Sequence, residues 1–158
     1  MRYLYILLFS IALAADDHSS EGKIDENCKD ITKDNISERS FTNEYVGTFN
    51  GKRIEYSAGL KEKVLYEKDN PDAPQASFFY TEYIAKNGNQ RPVIFSFNGG
   101  PGSASLWLHM GVLGPKVIKV PSNASDDGSP PYKIVDNKLS PLSDADLVFI
   151  DPIGTGYS

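Results

Sequence analysis

The 158-residue sequence has few of the residues on which several common functions depend. Its single cysteine, Cys28, excludes an internal disulfide, a zinc cage and a CxxC redox pair. Lys and Arg number 16 against 21 Asp and Glu, so a basic surface for nucleic acid is not expected. Only two histidines occur, His18 and His109, and no Gly-x-Ser-x-Gly or Gly-Lys-Ser/Thr motif is present. Neither a metal ion nor a cofactor is therefore expected.

Long apolar runs are also lacking. A membrane-spanning helix needs about 20 apolar residues, whereas the N-terminal apolar run at 3–13 is only about eleven residues long. This run follows Arg2 and ends at Ala12-Leu13-Ala14, which is typical of a secretory signal peptide over residues 1–15. A buried core helix is the alternative interpretation. The signal predicts an exported protein (extracellular, periplasmic, or in a vacuole- or lysosome-like compartment) that is not held in a membrane after cleavage.

Residues 16–40 are charged and poor in aromatics, so we expect a flexible acidic leader ahead of a folded part at 41–158. Cys28 is expected to be an incidental thiol in this leader. Asn35 begins one N-glycosylation pattern and Asn123 another, and both matter only in a eukaryotic host.

Short β-favouring runs separated by turn residues begin at residue 41. The strongest turn signal is Asn50-Gly51, which lies between the runs 45–49 and 52–56 and predicts a hairpin. Further strands are expected at 64–66, 76–84, 92–97 and 146–151.

Two of these strands are expected to be buried, 92–97 and 146–151. Residues 93–95 form an unbroken apolar run, which favours a central strand covered on both faces. Between the two strands, a helix-compatible segment at 105–110 offers an apolar face that would end at Gly111 or Gly114: Leu106, Trp107, Met110, Val112 and Leu113. The order predicts an α/β fold in which antiparallel edge strands lead into a mostly parallel sheet.

A glycine-rich segment, Asn98-Gly99-Gly100-Pro101-Gly102-Ser103-Ala104-Ser105, connects the first buried strand to the helix. A strand, a glycine turn and a helix start form a loop that can receive an anion. Phosphate is disfavoured, because Pro101 lacks an N–H and no acidic residue follows a second strand at the spacing of dinucleotide sites. Acyl transfer fits better, since α/β-hydrolases take an oxyanion-hole N–H from the loop after the third strand. A tight turn with no ligand is the remaining alternative.

Three ordered blocks carry a family resemblance: 98–105, Leu113-Gly114-Pro115, and Asp151-Pro152-Ile153-Gly154-Thr155-Gly156-Tyr157-Ser158. Over residues 45–158 the sequence resembles the serine carboxypeptidases, peptidase family S10. The resemblance implies an α/β-hydrolase fold and the N-terminal part of a longer protein. Ser103 stands where many eukaryotic members carry cysteine, which indicates the bacterial-type branch.

The resemblance also implies roles for three residues. Asn98 and Gly99 match the positions that bind the C-terminal carboxylate of a peptide substrate, and Gly100 matches the residue whose backbone N–H forms half of the oxyanion hole. The implied activity is release of C-terminal residues from peptides. The family's serine nucleophile lies in a Gly-Glu-Ser-Tyr-Gly elbow that is absent here, so we expect this chain by itself to lack the catalytic Ser, Asp and His. The alternatives are a catalytically inactive secreted binding protein and a related serine esterase or acyltransferase.

The remaining polar residues suggest no local triad. We expect His109 to be a packing or surface residue rather than a catalytic base. The other candidates are expected to cap or brace loops: the hydroxyls of Ser103, Ser105 and Ser158 and the carboxylates of Asp144, Asp146 and Asp151.

Overall fold

The computed structural model describes residues 37–86, 90–100, 102–120 and 130–158. The predicted signal peptide, Cys28 and both predicted acceptor asparagines, Asn35 and Asn123, lie outside these residues. No helix in the described part of the chain is long and apolar enough to span a bilayer. The predicted domain boundary at 41 stays a prediction, although the first strand begins close to it, at Ser40.

The described residues form two sheets. The elements in chain order are β1 (Ser40–Phe49), β2 (Lys52–Glu67), β3 (Asn70–Ala85), β4 (Val93–Ser96), α1 (Leu106–Leu108), a π-helical segment (His109–Leu113), β5 (Lys116–Lys119), β6 (Lys133–Asp136), a 3₁₀ turn (Pro141–Ser143) and β7 (Asp146–Ile150). The larger sheet has the order β1-β2-β3-β7-β4, in which only β4 and β7 pair in parallel. The smaller sheet is the antiparallel pair of β5 and β6. The sheet is therefore mixed: antiparallel strands lead, as predicted, into parallel pairing, but the predicted mostly parallel part is a single pair here.

The predicted hairpin at Asn50-Gly51 is confirmed. Asn50 has φ 49° and Gly51 has φ 77°, the pair of positive values that a type I′ turn requires. The Asn50 side chain also donates to Ser143 Oγ at 2.8 Å, which fixes the turn against the 3₁₀ segment. The second strand of the hairpin continues through the run predicted at 64–66, so β2 is one strand of 16 residues.

The prediction that the strand at 92–97 is central and covered on both faces is wrong for the described residues. Strand β4 pairs only with β7 there and lies at one edge of the sheet. Ile94 packs against the core, whereas Phe95 is 63% exposed on the opposite face. An unbroken apolar run shows what a strand can bury, and it does not specify which neighbours cover the strand.

Strand β7 is the buried strand of the parallel pair, as the sequence predicts. It lies between β3 and β4, and its residues Asp146–Phe149 are all buried. Leu147 and Phe149 join the main apolar core, which also contains Phe49, Ile54, Tyr56, Ala85 and Leu142.

The helix predicted after the glycine-rich segment is present and ends at Gly114, one of its two predicted ends, but the prediction of a single apolar face is wrong. Three α-helical residues pass directly into the π-helical segment, which ends where Gly114 N donates to His109 O at 2.9 Å. Because π-helical hydrogen bonds span five residues, an apolar face at α-helical spacing does not persist. Leu108 and Leu113, five residues apart, pack against the core, whereas Trp107 is 73% exposed.

A buried ion pair fixes the entry to the parallel pair. Arg91 Nε lies 2.9 Å from Asp146 Oδ1, with side chains only 7% and 12% exposed. Arg91 also donates to Leu142 O at 2.6 Å, and Ala85 N donates to Asp146 Oδ1 at 3.0 Å. These bonds join the starts of β4 and β7 to the end of β3.

We expect Gly51→Ala to lower the free energy of unfolding by about 1 kcal/mol, because an L-residue is strained at positive φ. The space around Gly51 is open, so a clash would not contribute. Gly111→Ala is the matched control, since Gly111 also has open space and its φ is not positive. Urea unfolding of both variants measures the effect, and an equal loss in both would contradict the turn assignment.

We expect Asp146→Ala to cost about 3–5 kcal/mol, since it leaves a buried guanidinium without its partner. Asp144 lies two residues before Asp146 and forms an exposed ion pair with Lys52. Asp144→Ala therefore serves as the control and should change the free energy of unfolding little. Chemical denaturation of the two variants distinguishes them. Similar small losses in both would mean that the buried pair contributes nothing to the fold.

Candidate functional site

Two loops leave the same edge of the sheet. The parallel register places Ser96 of β4 beside Phe149 of β7, so both strands end next to each other. The segment after β4 comprises 98–100 and 102–105, and we call it the glycine loop. The segment after β7 comprises 151–158, and we call it the closing loop. In α/β sheets ligands bind at the carboxyl ends of parallel strands, so a binding site is expected at this edge.

The predicted oxyanion residue, Gly100, lies at the exposed tip of the glycine loop. Gly100 and Gly102 have φ of 76° and 88°, and a Cβ at either would meet no atom of the described residues within 4 Å, its chain neighbours aside. Gly99 is equally open. Ser103 N donates to Gly100 O at 3.3 Å and closes a turn around the tip. The open approach and the left-handed backbone are what a loop needs if its amides are to face a ligand.

Asn98, the predicted carboxylate-binding residue, is half-buried at the start of the same loop. Its Oδ1 atom is buried, and no hydrogen bond reaches it from the described part of the chain. A buried acceptor without a donor costs about 1–3 kcal/mol, and such groups are rare in native proteins. The Asn98 amide therefore has unfilled bonding capacity beside the open glycines.

Asp151, at the start of the closing loop, holds the two loops together. Its Oδ1 atom accepts from Ser105 N and from Ser105 Oγ, both at 2.9 Å. Ser105 is 3% exposed and makes no capping hydrogen bond with its side chain. The predictions that Ser105 is a loop hydroxyl and that Asp151 braces a loop are both confirmed.

The closing loop is in turn fixed to β3. Asp151 N donates to Phe79 O at 3.0 Å, which extends the antiparallel ladder by one bond. Ser158 Oγ then accepts from Phe79 N and donates to Asp151 O, both at 2.8 Å. Ser158 is thus a loop hydroxyl as predicted.

His109 is a packing residue, as predicted. Its ring stacks on Phe149 at 4.5 Å between centroids, and Nε2 lies 2.6 Å from the Tyr83 hydroxyl. Burial lowers the pKa of His109, and the nearby Asp151 carboxylate opposes that shift. Burial also raises the pKa of Tyr83. Both side chains are therefore neutral near pH 7, which suits a packed aromatic cluster.

A cavity of about 320 Å³ lies beside the brace between the loops. Its lining includes Ser105, His109 and Asp151, but Asn98, Gly99 and Gly100 are not among the lining residues. The three predicted site residues thus lie on the glycine loop and outside the lining of this cavity. No group of three or more possible metal ligands occurs among residues 37–86, 90–100, 102–120 and 130–158.

The α-helix after the glycine loop is shorter than the sequence predicts, and the contact between Asp151 and Ser105 was not predicted. The α-helix that follows the glycine loop has three residues, so it adds little dipole at the loop. The bond between Asp151 and Ser105 joins residues 46 positions apart and has no local pattern. The only signal for it is an Asp that ends a buried strand near a pair of glycines, Gly154 and Gly156.

The two loops form a candidate anion site at the carboxyl end of the parallel pair in a mixed sheet. A family model for serine carboxypeptidases matches residues 58–158, which include both loops. The chain therefore belongs to the serine carboxypeptidase family.

Curated relatives agree with this assignment. The chain is 36% identical over 100 residues to pheromone-processing carboxypeptidase KEX1 of Saccharomyces cerevisiae, covering 63% of the chain and 12% of that protein. It is 34% identical over 94 residues to serine carboxypeptidase-like 36 of Arabidopsis thaliana, covering 59% and 18%. It is 31% identical over 107 residues to carboxypeptidase Y homolog A of Trichophyton tonsurans, covering 67% and 18%.

The chain thus spans 12–18% of the length of these relatives. No solved structure matches it significantly. The bacterial-type branch, inferred from Ser103, is not supported by these fungal and plant relatives and stays a prediction.

We expect stability to fall as the pH drops below about 6.5, the ordinary pKa of histidine. Because burial lowers the pKa of His109, the unfolded chain binds a proton at a higher pH than the folded chain does. The contribution is complete above the unfolded pKa and is lost as the pH falls through the folded pKa.

Urea unfolding of His109→Gln near pH 7.5 and pH 5 measures this dependence, with His18→Gln as the control. The His109 variant should lose less stability between the two pH values than wild type does, and the control should lose as much. An unchanged pH dependence in His109→Gln would show that the histidine is not buried in its neutral form.

Proposed function

We propose that this chain supplies the substrate-carboxylate and oxyanion loop of a serine-type carboxypeptidase that releases C-terminal residues from peptides. The observation that carries the proposal is the open, left-handed Gly100 beside the unfilled amide of Asn98, at the carboxyl end of a parallel strand. The nucleophile of such an enzyme is not among these 158 residues, so the proposal assigns this chain the binding loop alone.

The chemistry of a peptide C-terminus suits Asn98 and Gly99. A C-terminal residue presents a carboxylate, which accepts hydrogen bonds, and an amide N–H, which donates one. Asn98 offers a donor in Nδ2 and an unfilled acceptor in Oδ1, and the exposed residue Gly99 offers its backbone N–H. Amide donors recognise a carboxylate without placing a fixed positive charge in the site.

Gly100 would act later in the reaction. When a serine attacks the last peptide bond, the carbonyl oxygen becomes an oxyanion, and the proton moves to a histidine that later passes it to the leaving amine. The Gly100 N–H would donate to this oxyanion and stabilise the tetrahedral intermediate. Loss of one such donor lowers kcat by about 10²- to 10³-fold in a serine protease.

We also propose a fold for residues 41–158 and an exported location for the protein. The mixed sheet would be the N-terminal part of an α/β-hydrolase domain, with residues 41–158 in that domain. The run at 3–13 would direct export to the medium, the periplasm or a vacuole- or lysosome-like compartment, after a cut near residue 15. No cofactor or metal takes part in this scheme.

We expect Asn98→Ala, in the protein made from its complete reading frame, to lower kcat/KM for an N-blocked dipeptide about 10- to 100-fold, because a hydrogen bond to a charged group is lost. An N-blocked amino-acid ethyl ester lacks the terminal carboxylate, so its kcat/KM should fall much less. Steady-state kinetics on the two substrates measures the difference.

Asn43→Ala is the control, since Asn43 is an exposed asparagine on β1 and should leave both rates unchanged. Equal losses on both substrates in Asn98→Ala would contradict carboxylate recognition. Wild-type activity on the ester alone would favour an esterase or acyltransferase. Activity on neither substrate would favour an inactive binding protein.

A further inference from the structure

We propose that Asp151 is a positioning residue for the glycine loop. Its carboxylate holds Ser105 and thereby fixes the amide of Gly100 where the developing oxyanion needs it. The inference deepens the proposed function and rests on it. Asp151 bonds to Ser105 and to neither Gly99 nor Gly100, so it acts through another residue.

The bond between Asp151 and Ser105 fixes both the backbone and the side chain of Ser105. One carboxylate oxygen accepts from Ser105 N and from Ser105 Oγ, each at 2.9 Å. Hydrogen bonds to an ionised acceptor are about twice as strong as neutral ones. The end of the glycine loop is therefore held firmly.

The tip of the loop has little support of its own. Apart from each glycine's own chain neighbours, no atom of the described residues lies within 4 Å of a Cβ placed at Gly99, Gly100 or Gly102. The bond from Ser103 N to Gly100 O, at 3.3 Å, is longer than those that Asp151 accepts. The position of the Gly100 amide thus depends on the ends of the loop, which are strand β4 on one side and Ser105 on the other.

Asp151 is itself rigidly placed. Its N–H donates to Phe79 O, and its carbonyl accepts from Ser158 Oγ, which in turn accepts from Phe79 N. The Asp151 backbone is thus bonded to β3 both directly and through Ser158. A carboxylate anchored in this way can hold a neighbouring loop at a defined distance from the sheet.

Gly156 lies against the second carboxylate oxygen of Asp151, Oδ2. A Cβ at Gly156 would overlap Asp151 Oδ2 and would lie 3.2 Å from the Ala104 Cβ. The closing loop therefore passes directly over the carboxylate, with no room for a side chain. This close approach joins the closing loop, Asp151 and the glycine loop into one packed unit.

The test compares Asp151→Ala with Asp151→Asn in the protein made from its complete reading frame. We expect Asp151→Ala to lower kcat for the N-blocked dipeptide about 10²- to 10³-fold, as when an oxyanion donor is lost, with KM changed only a few-fold. Asp151→Asn retains a carbonyl oxygen that can accept from Ser105, so most of the activity should return. Asp144→Asn, which alters an exposed carboxylate, should leave kcat unchanged.

NMR relaxation supplies a second readout that does not need activity. In Asp151→Ala the order parameters of the Gly100 and Gly102 amides should fall below about 0.6, the range of flexible backbone, while that of Thr81 in β3 stays near 0.85. Unchanged glycine order parameters, or a rise in KM with kcat unchanged, would overturn the proposal. A fall at Thr81 as well would mean a general loss of structure and would also overturn it.

Peptide release tests the proposed function, and the amide order parameters test the positioning role of Asp151 separately. If the wild-type protein releases no C-terminal residue from any peptide, the carboxypeptidase assignment fails. The order parameters then decide on their own whether Asp151 positions the loop.

Discussion

The candidate site depends on the parallel pairing of β4 with β7. Four residues of each strand pair, from Val93 beside Asp146 to Ser96 beside Phe149. The buried contact between Arg91 and Asp146 fixes the start of this pair, and the two loops leave from its end. Because both strands end at one edge, a loop that can receive an anion and a loop that can brace it lie side by side.

The electrostatics of the two loops are also informative. Residues 98–105 and 151–158 contain no Lys or Arg, so these loops themselves offer an anion neutral amides and hydroxyls. Such donors stabilise charge well when they are fixed in advance, because they need no reorganisation as the charge develops. Asp151 is the one residue in these loops with a formally charged side chain. Its carboxylate accepts two hydrogen bonds from Ser105. These loops therefore offer an anion fixed hydrogen-bond donors, held at the Ser105 end, rather than positive charge.

The sequence predicted features that are encoded locally. Asn50-Gly51 determines its turn by itself, since both residues tolerate positive φ. Strand β4 was misplaced because its apolar run carries no information about which neighbours cover it. The predicted helix is present, but its predicted apolar face is wrong because the π-helical segment at His109–Leu113 changes the spacing on which such faces are recognised. The composition of residues 98–105 predicted the glycine loop. The roles of Asn98, Gly99 and Gly100 were predicted from the family resemblance. The bond from Ser105 to Asp151 depends on the sheet topology and could not be predicted from either segment alone.

The most direct test of the central claim is a crystal structure of the complete protein after reaction with a phosphonofluoridate, which modifies the active serine of such enzymes and leaves a phosphoryl oxygen as a mimic of the oxyanion. We expect a covalent adduct whose phosphoryl oxygen lies about 2.7–3.1 Å from Gly100 N. An adduct whose oxygen is bound elsewhere, or a protein in which no serine reacts, would contradict the role assigned to the glycine loop.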